Sequence, residues 1–144
     1  MIITRFYTKR KLIKKILPHQ LTGQKNILEI GIGSGLGAIT LIQHDPSITV
    51  HAAYIRDMPF NSNYFDATFA ILSIHNLYKP EERYDALTEI TRVIRSGGQL
   101  IIIDFKCHNE YRDHLQRLRA ENISTSHHYL SVLPFLKVST AVIA

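Results

Sequence analysis

The stretch Asn26–Ala38, which reads N-I-L-E-I-G-I-G-S-G-L-G-A, decides the fold of this chain. It opens with a short apolar run, continues into four glycines at alternate positions, and leads into the helical spacing of Ile39, Leu41 and Ile42. A buried parallel strand that enters a glycine-rich turn and then a helix has this pattern. Glycine permits a positive φ and lets a ligand approach the backbone, and the N-terminus of the next helix offers N–H groups to an anion.

This glycine turn leaves several explanations open. A G-x-G-x-x-A pattern fits on Gly33, Gly35 and Ala38, so a nucleotide-dependent oxidoreductase remains an alternative. Glycine-rich turns also end strands for purely structural reasons. The turn by itself therefore predicts a nucleotide-type site without naming its ligand.

The composition is that of one ordinary globular domain. The chain has 144 residues, of which 45% are hydrophobic and 20% charged, so we expect a single domain over residues 1–144. No apolar run approaches the ~20 residues that span a bilayer, and the N-terminus lacks the apolar stretch of a secretory signal. The single Cys107 excludes an internal disulfide. We expect a cytoplasmic protein with no membrane partner.

The net charge of +5 is concentrated near the N-terminus. Such a cluster can bind nucleic acid or an anionic membrane. We interpret residues 1–25 instead as an amphipathic basic helix over residues 8–17 with its connection, because no aromatic interleaving or nucleic-acid motif accompanies the charge. We therefore expect no nucleic-acid partner. The basic side chains are Arg5, Lys9, Arg10, Lys11, Lys14 and Lys15.

Strands and helices alternate along the chain. An α/β sandwich of about six strands, mostly parallel and closed by a C-terminal antiparallel hairpin, follows from this alternation. The predicted strands are Asn26–Ile30, Ile48–Ile55, Tyr64–Ile74, Leu100–Phe105 and two within Ile123–Ala144 that turn near Pro134. The predicted helices after the first run from Ser34 to about His44, from Pro80 to the stop at Gly97-Gly98, and over Asn109–Arg119.

Four blocks in a fixed order carry a family resemblance. They are Leu28–Gly35 (L-E-I-G-I-G-S-G), Asp57–Phe60 (D-M-P-F), Tyr64–Ala67 (Y-F-D-A) and Ile90–Ile103 (I-T-R-V-I-R-S-G-G-Q-L-I-I-I). With these blocks the chain resembles a class I S-adenosylmethionine-dependent methyltransferase of the small-molecule group that includes ubiquinone/menaquinone-type enzymes. The resemblance implies a Rossmann-like methyltransferase fold, S-adenosylmethionine as cofactor and methyl transfer to a small-molecule substrate.

The resemblance also implies residue roles. Glu29 with Gly31, Gly33 and Gly35 would hold the methionine end of the cofactor, in agreement with the affinity of N–H groups and a carboxylate for a zwitterion. Asp57 and Met58 match the loop that meets the adenine edge. The residues that follow the third strand, namely Ser73, Ile74, His75 and Asn76, would line the mouth between cofactor and substrate, at the carboxyl ends of the strands.

The chain is shorter than the family pattern. Between Glu29 and Asp57 there is room for one helix and one strand, so about one strand–helix unit is missing, together with the family's separate ribose-binding carboxylate. Asp57 follows Gly35 at about the ~20-residue spacing of a ribose-binding acid. We predict that Asp57 is the only acid available for the adenosine half. A missing edge unit also exposes a strand, which favours a homodimer.

The catalytic candidates are His75 as a base and Asn76 as a polar positioner. A structural histidine at a strand end is the alternative for His75, and Asp104 either faces the substrate or caps the following helix. The histidines at 108, 127 and 128 have no metal-ligand pattern, so no metal site is expected. Three hypotheses remain: a small-molecule methyltransferase, an inactive methyltransferase-like binding or scaffold module, and a nucleotide-dependent oxidoreductase.

Overall fold

A five-stranded sheet is the central element of the computed structural model, which describes residues 26–31, 53–127 and 136–144. All of these residues belong to one compact unit, composed of Gln24–Gly31 and Ala53–Ala144. The strands are β1 (Ile27–Ile30), β2 (Phe65–Ile71), β3 (Ile94–Asp104), β4 (Glu121–His127) and β5 (Lys137–Val142). The helices are α1 (Pro80–Val93) and α2 (His108–Arg117), with a short 3-10 helix at Ile74–Asn76.

The strand order is β1-β2-β3-β5-β4. β1, β2 and β3 are parallel neighbours, whereas β5 pairs antiparallel with both β3 and β4. The predicted α/β class is confirmed. Within the described ranges the sheet is mixed rather than mostly parallel, because the two C-terminal strands contribute as many antiparallel pairings as the first three contribute parallel ones. The turn predicted near Pro134 lies outside the described residues.

The predicted strand Ile48–Ile55 is described only from residue 53 onwards. There the backbone forms a turn, in which Tyr54 bridges Asp57 and the Asp57 N–H donates to the Tyr54 carbonyl at 3.0 Å. The N-terminal helix over residues 8–17, the strand up to residue 52 and the helix from Ser34 to His44 lie outside the described residues.

The apolar pattern of α1 faces the sheet as predicted. Proline starts the helix, and Glu81 and Glu82 lie in its first turn. Helical periodicity predicts a buried stripe of Ala86, Leu87, Ile90, Val93 and Ile94, of which the first four are fully buried on α1 and Ile94 lies in β3. β2 and β3 are apolar along most of their length because helices or loops cover them. The buried stripe of α1 consists of Ala86, Leu87, Ile90 and Val93.

The predicted end of α1 at Gly97-Gly98 is wrong. The helix stops before Ile94, where β3 begins, and Ile94 is fully buried opposite Phe65 of β2. The Arg95 guanidinium then donates from Nε to Oδ1 of Asp66 at 2.6 Å. Strand pairing and this ion pair draw the chain into the sheet a turn earlier than the helical periodicity suggests.

α2 lies between β3 and β4 in the chain. It begins at His108 rather than Asn109 and ends at Arg117. The apolar spacing predicts that Tyr111, Leu115 and Leu118 face inward; the first two are buried, and Leu118 is only half-buried just beyond the end of the helix. In the part of the chain that the structure describes, no helix is long and apolar enough to cross a membrane.

Candidate functional site

The carboxyl ends of three parallel strands meet at one edge of the sheet. β1 ends directly before Gly31, β2 ends at Ile71, and β3 ends at Asp104. The parallel register aligns these ends, and open α/β sheets bind ligands there. We call this region the carboxyl edge, defined as Gly31, Leu72–Asn76 and Asp104–Cys107. It is the candidate active site.

Gly31 and Ser73 are in close contact at the carboxyl edge. Gly31 has a φ of +90°, and a Cβ built on it would overlap the Cβ of Ser73 and approach the carbonyl oxygen of Ile71 at 3.0 Å. The Oγ of Ser73 is buried and has no hydrogen-bond partner among the described residues. A buried polar atom thus lies next to the backbone of Gly31.

A strained turn positions Ser73. Leu72, which precedes it, has a φ of +49°, a conformation that is costly for a residue with a branched side chain. The N–H of Leu72 donates to the Ile103 carbonyl at 2.9 Å, and its own carbonyl accepts the Asn76 side-chain amide at 3.1 Å. Asn76 is exposed, and this hydrogen bond closes the turn that follows β2.

His75 and Asp104 face each other across the strand ends. The Nδ1 of His75 lies 2.5 Å from Oδ1 of Asp104, and the His75 backbone N–H donates to Oδ2 at 3.3 Å. Nδ1 and Oδ1 are at ion-pair distance, but their angles are not those of a hydrogen bond, so the contact is electrostatic. The imidazole also packs on Phe105, with 4.3 Å between ring centroids. Only 8% of His75 is exposed.

Asp104 is fully buried and surrounded by donors. Its Oδ1 accepts the Phe105 backbone N–H at 3.0 Å, and its Oδ2 accepts the hydroxyl of Tyr111 at 3.2 Å. Burial raises the pKa of Tyr111 far above its usual range, and the charge of Asp104 raises it further. The sequence leaves two alternatives for Asp104, contact with the substrate or capping of the next helix. The structure instead shows its carboxylate beside Nδ1 of His75 and hydrogen-bonded to the His75 backbone N–H.

His108 supports the same carboxyl edge from α2. Its Nε2 lies 2.9 Å from the Asp104 carbonyl oxygen and its Nδ1 lies 2.7 Å from Oγ of Ser139 on β5. The histidine therefore joins the end of β3 to α2 and β5. The parts of the chain with defined structure contain no group of three or more His, Cys, Asp or Glu residues that could hold a metal ion.

The Asp57–Phe60 loop is anchored to α1. The N–H of Met58 donates to Oε1 of Glu89 at 2.8 Å, and Arg92 donates to the carbonyl oxygens of Met58 at 3.3 Å and Phe60 at 3.0 Å. Arg92 also binds both oxygens of Glu89, at 2.7 and 2.6 Å, and this hydrogen bonding lowers the pKa of Glu89. The side chain of Met58 is buried in the core, while Asp57 is exposed.

Sequence reasoning missed the roles of Glu89 and Arg92, although their i, i+3 spacing on a predicted helix was visible. It also missed Arg83. The guanidinium of Arg83 makes a two-pronged contact with Glu110 of α2, at 2.7 and 2.8 Å, and donates to the carbonyl oxygens of Leu77 at 2.6 Å and Tyr78 at 3.1 Å. The hydrogen bond to Glu110 raises the pKa of Arg83. Arg83 thus holds the loop beside the carboxyl edge.

The predicted site residues fall into three groups. Gly31, Ser73, His75 and Asn76 come together at the carboxyl edge, and Glu29 is half-buried on β1 opposite Phe69. Asp57 and Met58 lie on the loop that α1 anchors. Gly33 and Gly35 lie outside the described residues.

Sequence comparison relates the chain to methyltransferases. A family model described as a methyltransferase domain matches residues 37–102. The ubiquinone/menaquinone biosynthesis C-methyltransferase UbiE of Geobacter sp. (strain M21) is 33% identical over 63 residues, which cover 44% of this chain and 26% of that protein. The Mus musculus tRNA (carboxymethyluridine(34)-5-O)-methyltransferase ALKBH8 is 35% identical over 68 residues, or 46% of this chain and 10% of that protein. The matched part thus spans about a quarter or less of these relatives.

Structural comparison leads to the same fold. The N-methyltransferase NodS from Bradyrhizobium japonicum WM9, solved in complex with S-adenosyl-L-homocysteine, superposes with a TM-score of 0.70. The superposition covers 93% of this chain and 86% of NodS at 12% sequence identity. At this identity the similarity establishes the Rossmann-like methyltransferase fold.

Proposed function

This chain belongs to the class I S-adenosylmethionine-dependent methyltransferases, and from that premise we propose that it binds S-adenosylmethionine at the carboxyl edge and transfers the methyl group to a small-molecule acceptor. The relative UbiE acts in ubiquinone and menaquinone biosynthesis according to its name. That name, and the resemblance of the four sequence blocks, support an acceptor of small size.

The Gly31–Ser73 contact carries this proposal. A buried hydroxyl without a partner costs free energy unless a ligand engages it. Among the described residues Ser73 Oγ has no partner, and its side chain lies against Gly31. Any side chain at position 31 would collide with Ser73 and displace that hydroxyl. The residues present therefore fit the polar end of the proposed cofactor.

Other residues complete the proposed cofactor site. Glu29, Gly31, Gly33 and Gly35 would hold the methionine end, and Asp57 would serve the adenosine half. Met58 has a structural role, unlike Asp57. Its buried side chain and its two backbone bonds to the Glu89–Arg92 pair hold the loop in place.

The chemistry divides between cofactor and protein. S-adenosylmethionine, when bound, supplies a methyl group activated by its positively charged sulfur. The protein has to align an acceptor with that methyl group and to remove a proton when the acceptor carries one. His75 and Asn76 follow β2 at the carboxyl edge, where they can contact an acceptor.

An RNA acceptor is the second candidate. The relative ALKBH8 is named as a tRNA methyltransferase, and the net charge of +5 would favour a polyanion. A gel-shift assay with total tRNA at two salt concentrations separates the candidates. Salt-sensitive binding followed by transfer of labelled methyl to RNA would replace the small-molecule acceptor.

Calorimetry tests the proposed cofactor. We expect S-adenosylmethionine and S-adenosylhomocysteine to bind and NADH not to bind. Titration should extend to about 1 mM ligand, because the loss of one charge-assisted contact weakens binding by about ten- to a hundred-fold. No heat with either sulfur ligand would refute the methyltransferase function. NADH binding alone would favour an oxidoreductase, and cofactor binding without transfer to any acceptor would favour an inactive binding module.

A further inference from the structure

We infer that Asp104 is a positioning residue, which fixes the ring and the tautomer of His75 so that the Nε2 atom of His75 accepts a proton from the methyl acceptor. The inference rests on the proposed function and narrows its substrate class. The acceptor atom carries a proton before transfer, as in a hydroxyl group, an amine or an acidic carbon.

The surroundings of Asp104 define its state. Its carboxyl oxygens accept the backbone N–H groups of His75 and Phe105 and the hydroxyl of Tyr111. All three of these neighbours donate to the carboxyl oxygens, so Asp104 acts as an acceptor here. A fully buried carboxylate held by three donors is a fixed negative charge at the end of β3.

That charge faces one particular ring atom. Oδ1 of Asp104 lies 2.5 Å from Nδ1 of His75, without the angles of a hydrogen bond. The electrostatic attraction between the carboxylate and a proton on Nδ1 favours the tautomer that carries its proton there. The lone pair then resides on Nε2, which makes no hydrogen bond to any described residue. Because Asp104 also holds the His75 backbone and Phe105 packs on the ring, the imidazole has little freedom to turn.

The proton step balances as follows. The acceptor atom forms its bond to the methyl carbon, while the electron pair of the broken carbon–sulfur bond remains on sulfur. The proton of the acceptor passes to Nε2 of His75, and the electron pair of its former bond stays on the acceptor atom. The imidazolium produced is stabilised by the charge of Asp104 and later returns its proton to solvent.

Histidine ¹⁵N NMR on the ligand-free protein tests the assignment. The chain has eight histidines, and the His75 signal is identified by its loss in His75→Gln. We expect the Nδ1–H tautomer in the wild type. In Asp104→Asn the amide N–H₂ group can replace the acceptor, and we expect the tautomer ratio to move towards Nε2–H by about tenfold or more. Tyr111→Phe is the matched control, since it removes a bond to Asp104 but not the contact with His75.

The outcomes are distinct. A wild-type His75 in the Nε2–H tautomer overturns the inference without any variant, and so does an Asp104→Asn spectrum that equals that of Tyr111→Phe. The S-adenosylhomocysteine affinity of Asp104→Asn should stay within about twofold of wild type. If the wild-type protein binds neither sulfur ligand, the proposed function fails and the base role of His75 fails with it.

The acceptor class has its own test. With labelled S-adenosylmethionine and catechol, tyramine or dimethyl sulfide as probes, we expect transfer to the hydroxyl or amine probe only, reduced at least about a hundred-fold in His75→Gln. Transfer to dimethyl sulfide, which has no proton on sulfur, at equal rates in wild type and variant would overturn the substrate class.

Discussion

Gly31 and Ser73 lie so close together at the carboxyl edge that a Cβ on Gly31 would overlap the Cβ of Ser73. One residue follows β1 and the other follows β2, and the parallel pairing of these strands brings them together. The sequence marks both positions as cofactor contacts on separate grounds. The structure brings them into contact, because the absence of a side chain at position 31 leaves room for the side chain of Ser73.

Gly31→Ala should destabilise the ligand-free protein by about 1–3 kcal/mol, because alanine is strained at a positive φ and its Cβ meets Ser73. Urea unfolding measures the change. Gly97→Ala is the matched control, since Gly97 has a φ of +73° but a Cβ there would make only an ordinary contact of 3.8 Å with Nη1 of Arg95. Gly97→Ala should lower the free energy of unfolding only by the strain of alanine at a positive φ, about 1 kcal/mol. Ser73→Gly should partly rescue Gly31→Ala, and equal losses in both alanine variants would contradict the overlap.

Ser73→Ala should separate ligand binding from stability. Because Ser73 Oγ is buried without a partner in the described structure, its removal should leave the free energy of unfolding unchanged or raise it by up to about 1 kcal/mol. The affinity for S-adenosylhomocysteine should fall about tenfold. Thr68→Val is the control, because Oγ1 of Thr68 is likewise buried and unpartnered within the described ranges but lies inside β2. An unchanged affinity in Ser73→Ala would remove this serine from the cofactor site.

Glu89→Gln should weaken the loop anchor and alter the acid response. The Arg92 hydrogen bond lowers the pKa of Glu89 in the folded protein below its ordinary value of about 4.5. The stabilisation is therefore present above that value and is lost as the pH falls below it. At neutral pH we expect Glu89→Gln to cost about 1 kcal/mol by urea unfolding, with a smaller further loss in acid than the wild type shows.

Glu81→Gln is the control for this pH dependence, since Glu81 is exposed on the same helix. Its effect should stay below about 0.5 kcal/mol at every pH. A wild-type protein and a Glu89→Gln variant that lose stability in parallel between about pH 5 and pH 2 would show that this carboxylate contributes nothing to the acid response.

Arg83→Met should loosen the loop beside the carboxyl edge. The substitution leaves Glu110 and the carbonyl oxygens of Leu77 and Tyr78 without their donor, and we expect a loss of about 2–4 kcal/mol. Tyr78 is 95% exposed, so chymotrypsin should cleave after it faster in the variant. Arg83→Lys should restore little, because an ammonium cannot reproduce the two-pronged contact.

Arg112→Met serves as the comparison for Arg83→Met, because Arg112 pairs with Asp113 on the exposed side of α2. Exposed pairs contribute about 0–1 kcal/mol. If the two methionine variants unfold at the same urea concentration and resist chymotrypsin equally, the clamp assigned to Arg83 does not exist.

The local spacing of apolar residues is enough to predict much of the architecture. The stripe of α1, the apolar runs of β2 and β3 and the C-terminal pair of strands follow from the spacing of apolar residues, because a helix and a strand bury side chains at different intervals. Periodicity failed at the end of α1. It reads Ile94 as one more helical core residue, and only the pairing with Phe65 and the Arg95–Asp66 contact decide that β3 begins there.

The sequence by itself determined the class of the protein, because the glycine turn and the three blocks after it lie in an order that can be recognised residue by residue. Only the tertiary structure decided which polar groups meet. Gly31 follows β1 and Ser73 follows β2, His75 lies beyond β2 while Asp104 ends β3, and Arg83 of α1 reaches Glu110 on α2. Contacts of this kind depend on strand register and helix docking, which are set by the packing of the whole core and leave no periodic signal in the chain.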